Sequence, residues 1–89
     1  MRRIVLDSTA DSLDAVYDRL AAALDLGHEF GRNLDALWDV LTTDVAGPVE
    51  IVWLDHRIAE RQLGADYDRL LDLFRDVERQ RADFRLVLA

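Results

Sequence analysis

Apolar and polar positions follow two rhythms along this chain, and the switches between them mark its elements. Residues 2–7, RRIVLD, hold a short β-branched run that predicts a buried strand, and the STAD that follows reads as a turn. Leu13, Val16, Tyr17, Leu20, Ala23 and Leu24 then recur at helical spacing behind the capping candidates Asp11 and Ser12, predicting a helix that Gly27 ends. GHEFGR reads as a loop. Asn33 is a good N-cap for a second helix from Leu34 to about Thr43.

After the breaker Gly47-Pro48, Val49 to Leu54 form a near-continuous apolar strand of the kind buried in parallel sheets. Ile58 to Leu63 predict a short helix, and Gly64 interrupts it. Tyr67, Leu70, Leu71, Phe74 and Val77 share one stripe of a longer helix with Asp66 as its candidate cap, and FRLVLA closes the chain as a third strand. Strands separated by long helical connections pair most naturally in parallel, through right-handed crossovers. The expected fold is α/β: a three-stranded parallel sheet with about four helices packed on it, in one domain spanning residues 1–89.

Composition narrows the function more than the fold. Apolar residues make up 51% of the chain and charged residues 33%, a globular balance with no low-complexity segment. The absence of cysteine removes disulfides, thiol nucleophiles and thiolate metal sites, and fits a reducing compartment. The apolar run near the N-terminus, Ile4 to Leu6, is too short for a secretory leader or a membrane span, so a cytoplasmic protein is expected. All eleven basic residues are arginine, a codon-bias mark of GC-rich bacterial genomes. A net charge of −7 repels nucleic acid and anionic membranes and attracts basic partners.

The second predicted helix carries the unusual chemistry. On a wheel of about 100° per residue counted from Leu34, the side chains of Leu34, Leu37 and Leu41 cluster within about 60°. Asp35 and Asp39 fall near 100° and 140°, while Trp38 sits at about 40°, on the border between core and acids. An acid on an outer helix face is usually only solvated. Asp35, in the first turn, is also favoured by the helix dipole. Asp39 has no such reason, and a like-charge pair four residues apart costs a few tenths of a kcal/mol. Between Glu29 and Asp44 there are four acids against one base, Arg32, so the partner of this patch should be positive.

Other chemistries fit these residues poorly. Two acids on one exposed helix lack the contrasting environments and the cleft of a glycosidase. His28 and His56 read as a surface-loop and a helix-start residue, and neither Ser8 nor Ser12 sits in a nucleophile elbow. His28, Glu29, Asp35 and Asp39 match no standard metal-ligand spacing, so neither metal nor cofactor is expected. Trp53, inside the second strand, reads as core.

FGRNLDALWDVL, with its aromatic-Gly-x-Asn-Leu-Asp-Ala-Leu-Trp-Asp-x-Leu pattern, resembles the signature of the barstar family, small intracellular inhibitors of bacterial ribonucleases. The likeness extends over the chain, including FRD at Phe74 to Asp76 and the closing FRLVLA. It implies a non-enzymatic inhibitor, monomeric when free, that occludes the active site of a small basic, guanyl-specific ribonuclease in a one-to-one complex. The implied contact surface comprises the loop residues Glu29 and Phe30, then Asn33, Leu34, Asp35, Trp38 and Asp39. Thr42, Asp44 and Asp76 extend it. Asp39 would enter the pocket that holds a substrate phosphate, Asp35 would bond nearby enzyme groups, and Asp76 would pair with an enzyme arginine. Glu29 and Asp44 stand where the family's best-known member has a tyrosine and a tryptophan, which implies a different nuclease or a shifted contact set. The alternative reading is an acidic interaction or immunity module of the same fold, bound to another basic protein such as a toxin domain.

Overall fold

The computed structural model describes residues 1–89. In chain order the elements are β1 (Arg2–Leu6), α1 (Leu13–Leu24), α2 (Leu34–Asp39), a π turn over Val40–Asp44, β2 (Val49–Trp53), α3 (His56–Leu63), α4 (Ala65–Gln80) and β3 (Phe84–Leu88). The sheet has three strands in the order β1-β2-β3. Both pairings are parallel, with Ile4, Ile51 and Leu86 in one row of the register. The α/β architecture expected from the sequence is the one observed.

Strand order follows chain order, and parallel crossovers share one hand, so both helical connections lie on the same face of the sheet. Ile4, Leu6, Ile51, Trp53, Phe84 and Leu86 are buried on that face. The other face carries Val5, 41% exposed, the half-buried Val52 and Val87, and a charged row of Arg3, Glu50 and Arg85. The apolar run of β2 therefore does not signify a strand covered by helices on both sides. Glu50, only 7% exposed, keeps its countercharge from the neighbouring strands: Arg3 Nε lies 2.8 Å and Arg85 Nε 3.9 Å from its carboxylate.

One cluster of 24 buried hydrophobic residues forms the core. Trp53 lies at its centre, fully buried as expected, with its ring 5.0 Å from that of Tyr67 and 5.9 Å from that of Phe74. Its indole Nε1 has no hydrogen-bond partner, and nothing in the structure explains why that donor is left unpaired. His56 opens α3 with Nδ1 3.1 Å from the Tyr67 hydroxyl, and His28 is an exposed loop residue.

Several boundaries differ from the sequence reading. Ser12, not Asp11, caps α1, its Oγ accepting the Ala15 N–H at 3.1 Å. α1 stops before Gly27: Asp25 turns left-handed at φ 56° and the Leu26 N–H wraps back to the Ala21 carbonyl. Ala23, inside the helix, faces solvent rather than joining the buried stripe. α3 starts two residues before Ile58, and α4 is entered from Gly64, whose φ of 58° suits glycine, while Asp66 in its first turn bonds Arg69 at 3.0 Å. On α4 Leu73 is buried and Leu71 only half-buried. The strands end at Leu6, Trp53 and Leu88, where the ladder register ends.

Three carboxylates give this fold an acid limit. Burial raises the pKa of Glu78, but the Leu86 N–H and Arg75 bonds outweigh it and hold the carboxyl below its usual value. Asp7 is lowered by its Thr9 bonds and Asp83 by its bond from Arg81. Groups with depressed folded pKa values stabilise the fold above their unfolded values of about 4 and lose that contribution as pH falls through the folded ones. The melting temperature should hold steady from pH 7 to about 5 and drop below about pH 4. Because a protonated Glu78 resembles glutamine, the gap between wild type and Glu78→Gln should narrow with acid, and a pH-independent gap would contradict this origin.

Candidate functional site

α2 begins where the sequence places it. Asn33 Oδ1 accepts the Ala36 N–H at 2.7 Å and Nδ2 donates to the Gly31 carbonyl at 3.3 Å, so both ends of the amide join loop to helix. The regular helix is shorter than expected. After Asp39 the chain widens into the π turn, closed by the Val45 N–H on the Val40 carbonyl at 3.1 Å. A regular helix would set Val40 and Val45 about 140° apart, whereas the wider turn brings them toward one side. Both are 8% exposed, with Leu41 fully buried between them. Packing three core residues within six positions is what the widening accomplishes.

The freed polar groups are met locally and from a distance. Thr42 Oγ1 donates to the Trp38 carbonyl at 2.7 Å, and Thr43 Oγ1 donates to that of Asp39. Arg81, just ahead of β3, donates through Nη1 to the carbonyls of Leu41 at 2.7 Å and Val45 at 2.8 Å. Asp83 grips the same guanidinium at 2.8 and 3.0 Å, which raises the Arg81 pKa further. The chain passes so close beneath this pair at Gly47 that a Cβ there would strike the Asp83 carboxylate.

On this frame Asp35 and Asp39 are exposed, while Trp38 is half-buried against the core. Leu37 and Leu41 are buried, as the wheel predicts, whereas Leu34 on the same stripe is only half-buried at the groove beside α4. α4 packs beside α2, and between them runs an open groove walled by Trp38 and floored by Leu34 and Leu73. Asp35, Asp72 and Asp76 rim it. Arg69 is its one base and is engaged by Asp66, while Asp76 pairs with Arg79. Asp35, Asp39 and Asp72 make no ion pair within the chain.

The other candidates divide. Glu29 and Asp44 meet in a second recess with Asp25, over Phe30 and Val40. Phe30 itself is only 9% exposed and packs edge-on against Tyr17 at 5.9 Å, so it anchors the loop from inside. Asp72, Asp25 and Arg81 escaped the sequence reading. Asp72 had a usable signal, because it precedes Asp76 by four residues, the same spacing as Asp35 and Asp39. The roles of Asp25 and Arg81 depend on neighbours distant in the chain.

No group of three or more His, Asp or Glu side chains is arranged to hold a metal ion, and no helix is long and apolar enough to cross a membrane. What the site offers is exposed, unneutralised carboxylate beside a partly buried indole, suited to a cationic surface. The family described as Barstar (barnase inhibitor) matches residues 1–89. A Bacillus subtilis protein named "Putative ribonuclease inhibitor YrdF" is 31% identical over 90 residues, covering 99% of each chain. With the matching fold and a family match spanning residues 1–89, the chain belongs to the barstar family.

Proposed function

We propose that this protein inhibits a small basic, guanyl-specific ribonuclease by binding one-to-one over its active site in the cytoplasm, with Asp39 standing in for an RNA phosphate. The observation that carries the reading is the unpaired Asp35–Asp39 face beside half-buried Trp38, placed where α2 opens into its π turn. Four residues of helix rise about 6 Å, close to the step between neighbouring phosphates. Asp76 reaches the same groove, where Arg79 engages one carboxylate oxygen and the other is open to an enzyme arginine. Thr42 already spends its one donor inside the chain and Asn33 one of its two amide N–H donors, so Thr42 offers a partner only acceptor lone pairs while Asn33 keeps one donor free.

Inhibition of RNA cleavage across a panel of purified guanyl-specific bacterial ribonucleases tests the proposal, and no inhibition at micromolar protein would sink it. Steering by the net charge of −7 should make the association rate fall steeply with salt while dissociation changes less, as in this family's best-known complex. A salt-independent association rate would relocate the binding energy to Trp38. One observation favours the second reading, a different basic protein such as a toxin domain: Asp25, Glu29 and Asp44 crowd one recess with no base among them. Capture of such a domain by a protein inert toward every ribonuclease would establish it.

A further inference from the structure

The loop ahead of α2 is fastened by a residue that works against the charge of the face it serves. Arg32 has φ 53°, left-handed backbone that a long side chain rarely adopts, and such strain persists only where the surroundings hold it. Its side chain crosses to α1. Nη1 lies 2.9 Å from Asp18 Oδ1, and Nη2 donates to the Asp14 carbonyl at 3.2 Å with the Asp14 carboxylate 3.6 Å away. The guanidinium carbon sits 5.8 Å from the centroid of Tyr17, and the same ring meets Phe30, two residues earlier in the same loop, edge-on at 5.9 Å. Tyr17 thus contacts two loop side chains, and at Gly31 between them a Cβ would come within 3.2 Å of the Ala36 side chain and 3.3 Å of Asn33 Nδ2.

We propose that Arg32 is a positioning residue, a latch that presets the loop Gly27–Asn33 and the start of α2 on α1 before any partner arrives. Each contact alone is exposed and weak, with Arg32 41% and Asp18 70% exposed. Four groups converging on one planar cation fix it better than a single pair does. The proposal rests on the inhibitor reading, since its value to the protein is that a partner meets an ordered surface and spends less on ordering it.

The charge makes the test discriminating. An arginine on an acidic face repels a basic enzyme, so if it were only a surface charge, Arg32→Gln would speed association and tighten the complex. As a latch, Arg32→Gln should shorten the lifetime of the complex roughly 5- to 20-fold despite faster association. Arg32→Gly removes the backbone strain, so a purely local structural role predicts unchanged or higher stability and unchanged inhibition. The latch predicts the same retained fold with the shortened lifetime, and Arg32→Lys should recover part of it. Hydrogen exchange of the free protein supplies a readout that needs no ribonuclease: the amides of Phe30, bonded to the Gly27 carbonyl, and Ala36, bonded to Asn33 Oδ1, should exchange faster in Arg32→Gln and Arg32→Gly while those of β2 are unchanged. Equal loop exchange in wild type and variants overturns the latch whether or not the protein inhibits a ribonuclease. A tighter complex of Arg32→Gln overturns it where inhibition is established.

Discussion

Asp39→Ala is expected to weaken ribonuclease inhibition by about 2 to 5 kcal/mol, roughly 30- to 4000-fold, a range for truncating one member of a buried charge pair drawn in part from this family's complexes. Three features of the free protein set that expectation. Asp39 is exposed and has no internal cation to give up, so its whole charge is available to an enzyme pocket. Its backbone is fixed at the junction of α2 and the π turn, where the Thr43 hydroxyl bonds its carbonyl. Trp38 beside it carries apolar area that can exclude water from the pair. The control must be an acid outside this network. Asp14, an ordinary outer-face acid by its periodicity, does not qualify because it faces Arg32. Asp68, exposed and in no ion pair, does, and Asp68→Ala should change inhibition by less than about threefold, as expected of a distant rim charge. Equal effects at Asp39 and Asp68 would remove the phosphate-mimic mechanism and leave the fold untouched.

The largest expected effect on stability lies in a residue far from the acids. Arg81→Met should cost about 2 to 3 kcal/mol, because two carbonyls at the end of the π turn lose a charged donor and nothing nearby replaces it. For a domain of this size that lowers the melting temperature by roughly 10 to 20 °C. Methionine keeps most of the apolar stem, so the loss reports the hydrogen bonds and not the packing. Lysine keeps the charge but not the planar fork that serves Leu41, Val45 and Asp83 together, so Arg81→Lys should fall between the two. A melting temperature within about 2 °C of wild type in Arg81→Met would show that water satisfies those carbonyls unaided. The exchange protection of the Val45 amide, which closes the π turn, should fall alongside stability.

Much of this molecule was legible in its sequence. Short apolar, β-branched runs located the three strands and 3.6-residue periodicity the four helices, and the lengths of the connections implied parallel pairing. Asn33 announced the start of α2, and the leucine spacing placed Asp35 and Asp39 outward with Trp38 at the margin. These are properties of neighbours three or four residues apart, which is the range over which side-chain pattern and backbone conformation determine each other. The motif FGRNLDALWDVL carried the family for the same reason, since its residues act together along one stretch of chain.

Tertiary structure decided the rest, wherever the partner group is remote. The sheet keeps one face open because consecutive strand order and one crossover hand put every helix on the other side, and no local pattern encodes that sum. α2 widens after Asp39 because Val40, Leu41 and Val45 must all reach a core made by other elements, and because Arg81, 40 residues from Leu41, is present to take the displaced carbonyls. Asp72 and Asp76 join Asp35 only because α4 packs beside α2. The sequence by itself determined which acids face outward; the packing of distant elements determined which of them share a surface.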